Sequence, residues 1–288
     1  MKIAIASGKG GTGKTFISTN LFNVLQKKIN ISLVDCDAEE PNDREFFTGG
    51  VLHHTHIVTQ KIPVIKKEKC TYCGKCEKYC NYNAFFFLKE MKMIKVLDEL
   101  CHGCGACSVA CEYGAISEKD DVLGYVNRYT FDTNSALIEA RVKVGVYSPV
   151  NVIKAAIKET DGFDLVLFDA PPGTACPFIQ TVAKADYVVL VTEPTPFGLS
   201  DLKQSVDTLK SMNKSYGVII NRAGLGNNDI YDYIEQENIP LLMSVPFDKK
   251  IAAIYSNGEL LTNLYTDWAA KFNQLYHIIE ENYGNSNN

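Results

Sequence analysis

Eight of the ten cysteines fall into two runs of one spacing. Cys70, Cys73, Cys76 and Cys80 read C-x2-C-x2-C-x3-C, and Cys101, Cys104, Cys107 and Cys111 repeat the pattern with every cysteine displaced by 31 residues. The repeat extends beyond sulfur: Gly74 matches Gly105, Tyr82 matches Tyr113 and Ala84 matches Ala115. The segment is therefore a duplicated module. Short spacings let several thiolates converge on one inorganic core, and soft sulfur ligands in fours suit zinc or iron-sulfur clusters. A zinc site rarely uses the third close cysteine, but two structural zinc sites remain the alternative. A disulfide framework is not expected, because no secretion signal is legible and cytosolic thiols stay reduced.

A second constellation opens the chain. The apolar run Ile3-Ala4-Ile5-Ala6 leads into Gly8-Lys9-Gly10-Gly11-Thr12-Gly13-Lys14-Thr15, and a helix-like stretch, Phe16 to Lys27, follows. This is G-x4-G-K-[ST] between a strand and a helix. The glycines let backbone N–H groups close on phosphate, Lys14 neutralises charge, and Thr15 offers a hydroxyl to magnesium. ATP and Mg2+ are the expected ligands.

The two patterns each resemble a known family. The cysteine runs resemble the bacterial two-cluster ferredoxins, in which the fourth cysteine of each run reaches across to the other cluster. That resemblance implies one 4Fe-4S cluster on Cys70, Cys73, Cys76 and Cys111, and a second on Cys101, Cys104, Cys107 and Cys80. Asn81 and Glu112 stand where the ferredoxin pattern usually has proline, which leaves ligation intact. The phosphate loop, with its extra Lys9, resembles that of the MinD, ParA and nitrogenase-iron-protein class of ATPases. Membership implies a homodimer closed on nucleotide, with Lys9 reaching the partner's phosphates much as an arginine finger does. It also implies that Asp35-Cys36-Asp37, after the apolar run Ile31 to Val34, forms a first switch, in which Asp37 positions the attacking water or a magnesium-bound water. Asp169, ending Leu165 to Phe168, then holds the magnesium shell, and Gly173 of Ala170-Pro171-Pro172-Gly173-Thr174 senses the terminal phosphate. Asn221, Arg222 and the Pro246-Phe247-Asp248 loop resemble the adenine-binding positions. As a whole the chain looks like the members of this superfamily that carry an inserted ferredoxin domain.

The elements that must position these groups are legible from apolar runs. Tyr187 to Thr192, Tyr216 to Asn221 and Leu241 to Val245 read as strands alternating with helical stretches, Leu199 to Met212 and Asp229 to Asn238. Alternation implies a mostly parallel α/β sheet of the doubly wound kind, with ligands at the carboxyl ends of its strands. The expected organisation is an ATPase domain from 1–60 and 120–288, interrupted by a small α+β ferredoxin-like domain at 61–119. Linkers are expected near Gln60 and near Asp120-Asp121.

Composition limits the function classes. A 46% hydrophobic, 22% charged chain of 288 residues is an ordinary folded protein. Its net charge of -5 gives no footprint for nucleic acid. The 61–119 segment alone is formally +3, with ten Lys against seven Asp and Glu. No apolar run approaches the roughly 18 to 20 residues that span a bilayer, and Met1 to Gly8 breaks before a signal core, so a cytoplasmic protein without stable membrane association is expected. Leu261, Leu264, Trp268, Phe272, Leu275 and Ile279 recur at helical spacing and are expected to pack on the core. His53, His54 and His56 read as a surface strand or loop, and Cys36 and Cys176 as tolerated thiols. The functional expectation is an ATPase coupled to electron transfer to a partner protein. An iron-sulfur carrier serving an apo-protein acceptor is the alternative, and a MinD-like or ParA-like positioning ATPase is a third reading.

Overall fold

Nine strands form one sheet in the computed structural model, which describes residues 1–286. The strands of the chain are β1 (Lys2–Ala6), β2 (Ile31–Asp35), β3 (Val51–Ile65), β4 (Phe85–Leu88), β5 (Met93–Val96), β6 (Ile116–Thr130), β7 (Ser135–Val142), β8 (Leu165–Asp169), β9 (Tyr187–Thr192), β10 (Ser215–Ala223) and β11 (Leu241–Pro246). The helices are α1 (Lys14–Leu25), α2 (Lys75–Lys78), α3 (Ala106–Ala110), α4 (Val150–Lys158), α5 (Cys176–Val182), α6 (Pro196–Ser211), α7 (Asp229–Gln236), α8 (Lys249–Ser256), α9 (Leu261–Leu264) and α10 (Thr266–Ser286). The chain divides into two compact units. The larger takes Met1–His56, Val126–Arg141 and Val150 onward, and the smaller Ile57–Tyr125 and Val142–Pro149.

In the larger unit β1 lies between β8 and β9, and β8 between β1 and β2, all parallel. The register sets Ile5 beside Asp169, and Asp169 beside Asp35. Successive side chains of a strand point to opposite faces, yet every residue of β2, β8 and β9 is buried. Helices therefore cover both faces, which is why these strands are continuous apolar runs without alternation. The core under α1 joins Phe16, Ile17 and Phe22 to Phe272, Leu275 and Ile279 of α10. Trp268 is buried with them, whereas Leu264 is exposed. The C-terminal apolar stripe, Leu264 apart, is thus committed to the core.

The expected linkers are not linkers. Gln60 lies inside β3, and Asp120 and Asp121 lie inside β6. Each of these strands runs from one unit into the other, and the charged dipeptide that reads as a break is accommodated because edge-side strand positions tolerate charge. Val142–Pro149 groups with the smaller unit, although the sequence gives no sign of it.

The smaller unit pairs β4 with β5 antiparallel, Phe85 opposite Val96 and Phe87 opposite Ile94. Its apolar cluster centres on Phe85, Ile94 and Cys107, with Cys70, Cys76 and Cys80 packed around them. The 31-residue repeat is conformational as well as chemical. Positive φ recurs at Tyr72 and Gly103 (54° and 63°), Gly74 and Gly105 (78° and 73°), and Asn83 and Gly114 (52° and 61°).

Phe22 is wholly buried, edge-on to Phe47 with ring centroids 5.2 Å apart. Phe22→Ala should destabilise the larger unit by about 3–5 kcal/mol, read as a lower urea midpoint at unchanged slope.

Candidate functional site

The phosphate loop joins β1 to α1 at the carboxyl edge of the sheet. Gly13, the residue before α1, takes φ 98° and ψ 24°, and its place admits no side chain, since a Cβ there would stand 2.3 Å from Asn221 Nδ2. No side chain caps α1 and its first turn carries no acid, so its N–H groups stay available for an anion. Gly8 is pinned in the same way by the backbone of Asp201, 2.5 Å from a notional Cβ. Gly10 and Gly11 have open space, and Thr12 is buried with its hydroxyl unpartnered. Lys14 is buried and donates to Ser7 Oγ at 3.0 Å. Burial holds its ammonium below the usual range, against the pull of Asp169 and Asp37. The Gly173 N–H donates to the Ser7 carbonyl at 3.1 Å, which ties the expected second switch to the loop.

Carboxyl groups crowd the ends of β2 and β8. The Thr15 hydroxyl donates to Asp169 Oδ2 at 2.8 Å, while Asp169 Oδ1 is buried without a partner. An orphaned carboxylate oxygen beside a threonine hydroxyl suits a hard divalent cation, and Mg2+ fits this pair. Asp35 accepts from the backbone N–H groups of Asp37, Asn42 and Asp43 at 3.1, 2.9 and 3.0 Å. Asp43 is fully buried beside Asp169. Burial pushes Asp35 and Asp43 well above the carboxylate range, helped next by the charge of Asp169 at Asp35 and of Asp35 at Asp43; burial also raises Asp169, against Lys14 and Thr15. Asp37 is raised to about 6, by burial first and Asp169 second.

Lys9 is turned into its own chain, with Nζ 2.6 Å from Glu193 Oε1. Arg222 Nη1 takes the other oxygen of Glu193 at 2.7 Å, and its Nη2 donates to the Gly11 carbonyl at 3.1 Å. Asn221 donates to the Thr12 carbonyl at 2.8 Å. A cavity of about 650 Å3 is lined by Asn221, Arg222, Pro246, Phe247 and Asp248 together with Phe16 and Tyr255. Asp248 also caps α8, accepting from the Lys250 N–H at 2.7 Å.

The cysteines of the smaller unit line two cavities. Cys70, Cys73, Cys76 and Cys111 share one of about 380 Å3, and Cys80, Cys101, Cys104 and Cys107 share the other, of about 360 Å3. Gly74 and Gly105 open the short helices α2 and α3 beside them. The Ala84 and Ala115 N–H groups donate to Cys80 and Cys111 Sγ at 3.4 and 3.3 Å, equivalent bonds in the two repeats. Burial raises Cys76 to about 11, and raises Cys101 and Cys107. These thiols hold their protons until something displaces them.

The histidines of β3 stand apart from both sites. His54 and His56 face Glu159, at 3.1 and 3.6 Å, from β3. Cys176 is exposed, whereas Cys36 is buried at the carboxyl cluster itself, its N–H donating to the Asp169 carbonyl at 2.9 Å. Sequence reasoning missed Glu193, Asp43, Phe16 and Tyr255. Glu193 follows the last residue of a buried parallel strand, a position that could have flagged it.

The carboxyl crowding has a measurable sign. A carboxyl with a raised folded-state pKa binds its proton more tightly folded than unfolded, so stability is lost as pH rises from about 4 through 6. For Asp37 the full shift corresponds to about 3 kcal/mol, and screening at a partly solvated group reduces this to about 1 kcal/mol. Asp37→Asn should therefore raise the Tm of the nucleotide-free protein by about 2–4 °C at pH 7.5. Below pH 5 the gain should shrink, as differential scanning calorimetry would record.

Similarity to known proteins agrees with this geometry. The family model described as the CobQ/CobB/MinD/ParA nucleotide binding domain matches residues 3–261. An uncharacterized protein of Methanocaldococcus jannaschii is 33% identical over 98% of this chain and 97% of its own length. An iron-sulfur cluster carrier protein of Rickettsia conorii is 29% identical over 38% of this chain and 36% of its own. Among solved structures, the septum site-determining protein MinD of Pyrococcus horikoshii, complexed with Mg-ADP, aligns at a TM-score of 0.57 and 20% identity, covering 95% of this chain and 93% of that one. The strand-loop-helix around Lys14, the parallel sheet and the whole-length match lead to one conclusion: the chain belongs to the CobQ/CobB/MinD/ParA family of P-loop ATPases.

Proposed function

We propose that this ATPase carries two 4Fe-4S clusters and couples ATP binding and hydrolysis, in a homodimer closed across the nucleotide, to electron transfer to a partner protein. The carrying observation is the pair of cavities with crossed cysteine sets: three cysteines of one run and the fourth of the other line each. Two further features support it. The smaller unit has a modest apolar core, Ile62, Phe85, Ile94 and Leu123 among its buried residues, and units of this size usually need a staple. The thiols surround cavities, as a multi-iron core requires and a mononuclear zinc does not.

The chain's own residues then divide the work. Backbone N–H groups from Gly10 to Thr15 and the Lys14 ammonium bind the phosphates. Thr15 and Asp169 hold Mg2+, which supplies charge neutralisation between the phosphates. Asp37 orients the attacking water, and Gly173, tied to Ser7, moves with the terminal phosphate. Asn221, Arg222 and Pro246 to Asp248 enclose the base. Lys9 serves the partner's phosphates. Bound clusters would supply one-electron chemistry, and the eight cysteines and backbone N–H donors would set their exposure.

Anoxic purification should yield about eight irons and eight sulfides per chain. Cys111→Ser should remove the same paramagnetic signal as Cys73→Ser, and Cys80→Ser the same as Cys104→Ser. Stoichiometric zinc in place of iron would overturn the cluster reading. The resemblance to an iron-sulfur carrier favours a second reading, cluster delivery to an apo-protein. Transfer to apo-ferredoxin faster with MgATP would select it, while an ATP-dependent shift in cluster potential without transfer would select electron donation. Lys9→Ala should lose turnover and keep much of its ATP affinity, checked by phosphate release and equilibrium binding.

A further inference from the structure

Glu193 is nearly buried at the carboxyl end of β9, and its two carboxylate oxygens are divided between two cations. Oε1 holds Lys9 at 2.6 Å and Oε2 holds Arg222 at 2.7 Å. Its own backbone is fixed. The Thr195 N–H donates to the Glu193 carbonyl at 2.8 Å, and Gly198 of α6 approaches so closely that a Cβ there would stand 2.2 Å from that oxygen. The cations are the mobile side: the Lys9 and Arg222 side chains are 33% and 46% exposed against 10% for Glu193. Arg222 adopts φ 54° where β10 slips register against β11. Its guanidinium spans Glu193 and the Gly11 carbonyl.

From this geometry we infer that Glu193 is a positioning residue that parks Lys9 within its own chain, and that Arg222 is the standing partner that lets Lys9 leave. The inference rests on the proposal that Lys9 acts on the partner's nucleotide. A buried carboxylate stripped of its only cation is strongly unfavourable. With Arg222 on the second oxygen, departure of Lys9 leaves Glu193 paired, so release costs little. Without Arg222, Glu193 would depend on Lys9 alone and hold it harder. Substituting the two partners should therefore move Lys9 in opposite directions.

The test begins with the nucleotide-free full-length holoprotein. A short pulse of acetic anhydride, followed by peptide mass spectrometry, reads how available Lys9 Nζ is. Glu193→Gln should label Lys9 about five-fold faster than the native chain and Arg222→Gln about five-fold slower, the scale of a partly exposed ion pair. Glu193→Asp should fall between Glu193→Gln and the native chain. With MgATP, Glu193→Gln should reach half-maximal turnover at a protein concentration about five-fold lower, because less of its Lys9 is held in cis. Equal Lys9 labelling in the native chain and in Glu193→Gln, with matched melting curves, would overturn the parking role. So would labelling that shifts the same way in Glu193→Gln and Arg222→Gln, since general loosening predicts that. Lys9→Ala separates the two levels. Full turnover in that variant refutes action on the partner's nucleotide, while lost turnover with unchanged labelling in Glu193→Gln refutes the parking alone.

Discussion

Lys14 sits buried among more carboxyl groups than it can neutralise, and the arrangement of the larger unit follows from that imbalance. Asp35, Asp37, Asp43 and Asp169 lie around the ends of β2 and β8, while Lys14 and the Thr15 hydroxyl face them from the loop and α1. Like charges in a low-dielectric site cannot all ionise, so protons or cations must be shared among them. A divalent cation beside Thr15 and Asp169 would offset part of that carboxyl charge. The fixed part is backbone: three N–H groups converge on Asp35. Only a close-packed parallel sheet, with β1 between β8 and β9, brings residues so distant in sequence to one edge.

The smaller unit solves a different problem. Its buried apolar side chains include Ile62, Phe85, Ile94 and Leu123, and Cys107 is buried with Phe85 and Ile94. Its two halves share a left-handed residue before each short helix and an N–H to sulfur bond after each fourth cysteine. A common backbone path is what allows the fourth cysteine of one run to reach the cavity of the other.

Legibility in the sequence followed burial. β2, β8 and β9 are apolar on both faces, so a run of hydrophobic residues announces them and their last residues mark the site edge. The phosphate loop and the two cysteine runs are local patterns whose spacing carries the chemistry, while the crossing of the cysteine sets was implied by the resemblance to ferredoxins. β3 and β6 were only partly legible: His53, His54 and His56 read as a surface strand or loop, and lie in a strand, whereas Asp120 and Asp121 read as a break. Asp43 was hidden for the opposite reason: it is charged, yet fully buried in a one-turn helix, and only the tertiary fold brings it to Asp169. Glu193 gave no motif either, although Lys9, whose role sequence suggests, is half of its ion pair.

β3 and β6 each continue without a break from one unit into the other. A flexible linker would leave the smaller unit indifferent to the nucleotide, since a floppy tether transmits position poorly. Here the chain passes from the Asp35 to Asp43 segment through a short turn into a fifteen-residue strand, and returns through another of the same length. Hydrogen-bonded strands are stiffer than linkers, so under the proposed function a displacement of the Asp35 to Asp43 segment would have a covalent path along β3. A path is not yet a coupling: nucleotide must favour one arrangement of the smaller unit over another by a free energy of its own. The buried carboxyl cluster offers a source for that difference. Its charge changes with cation and phosphate, and Asp35 and Asp43, which feel that change, bracket the segment from which the chain enters β3.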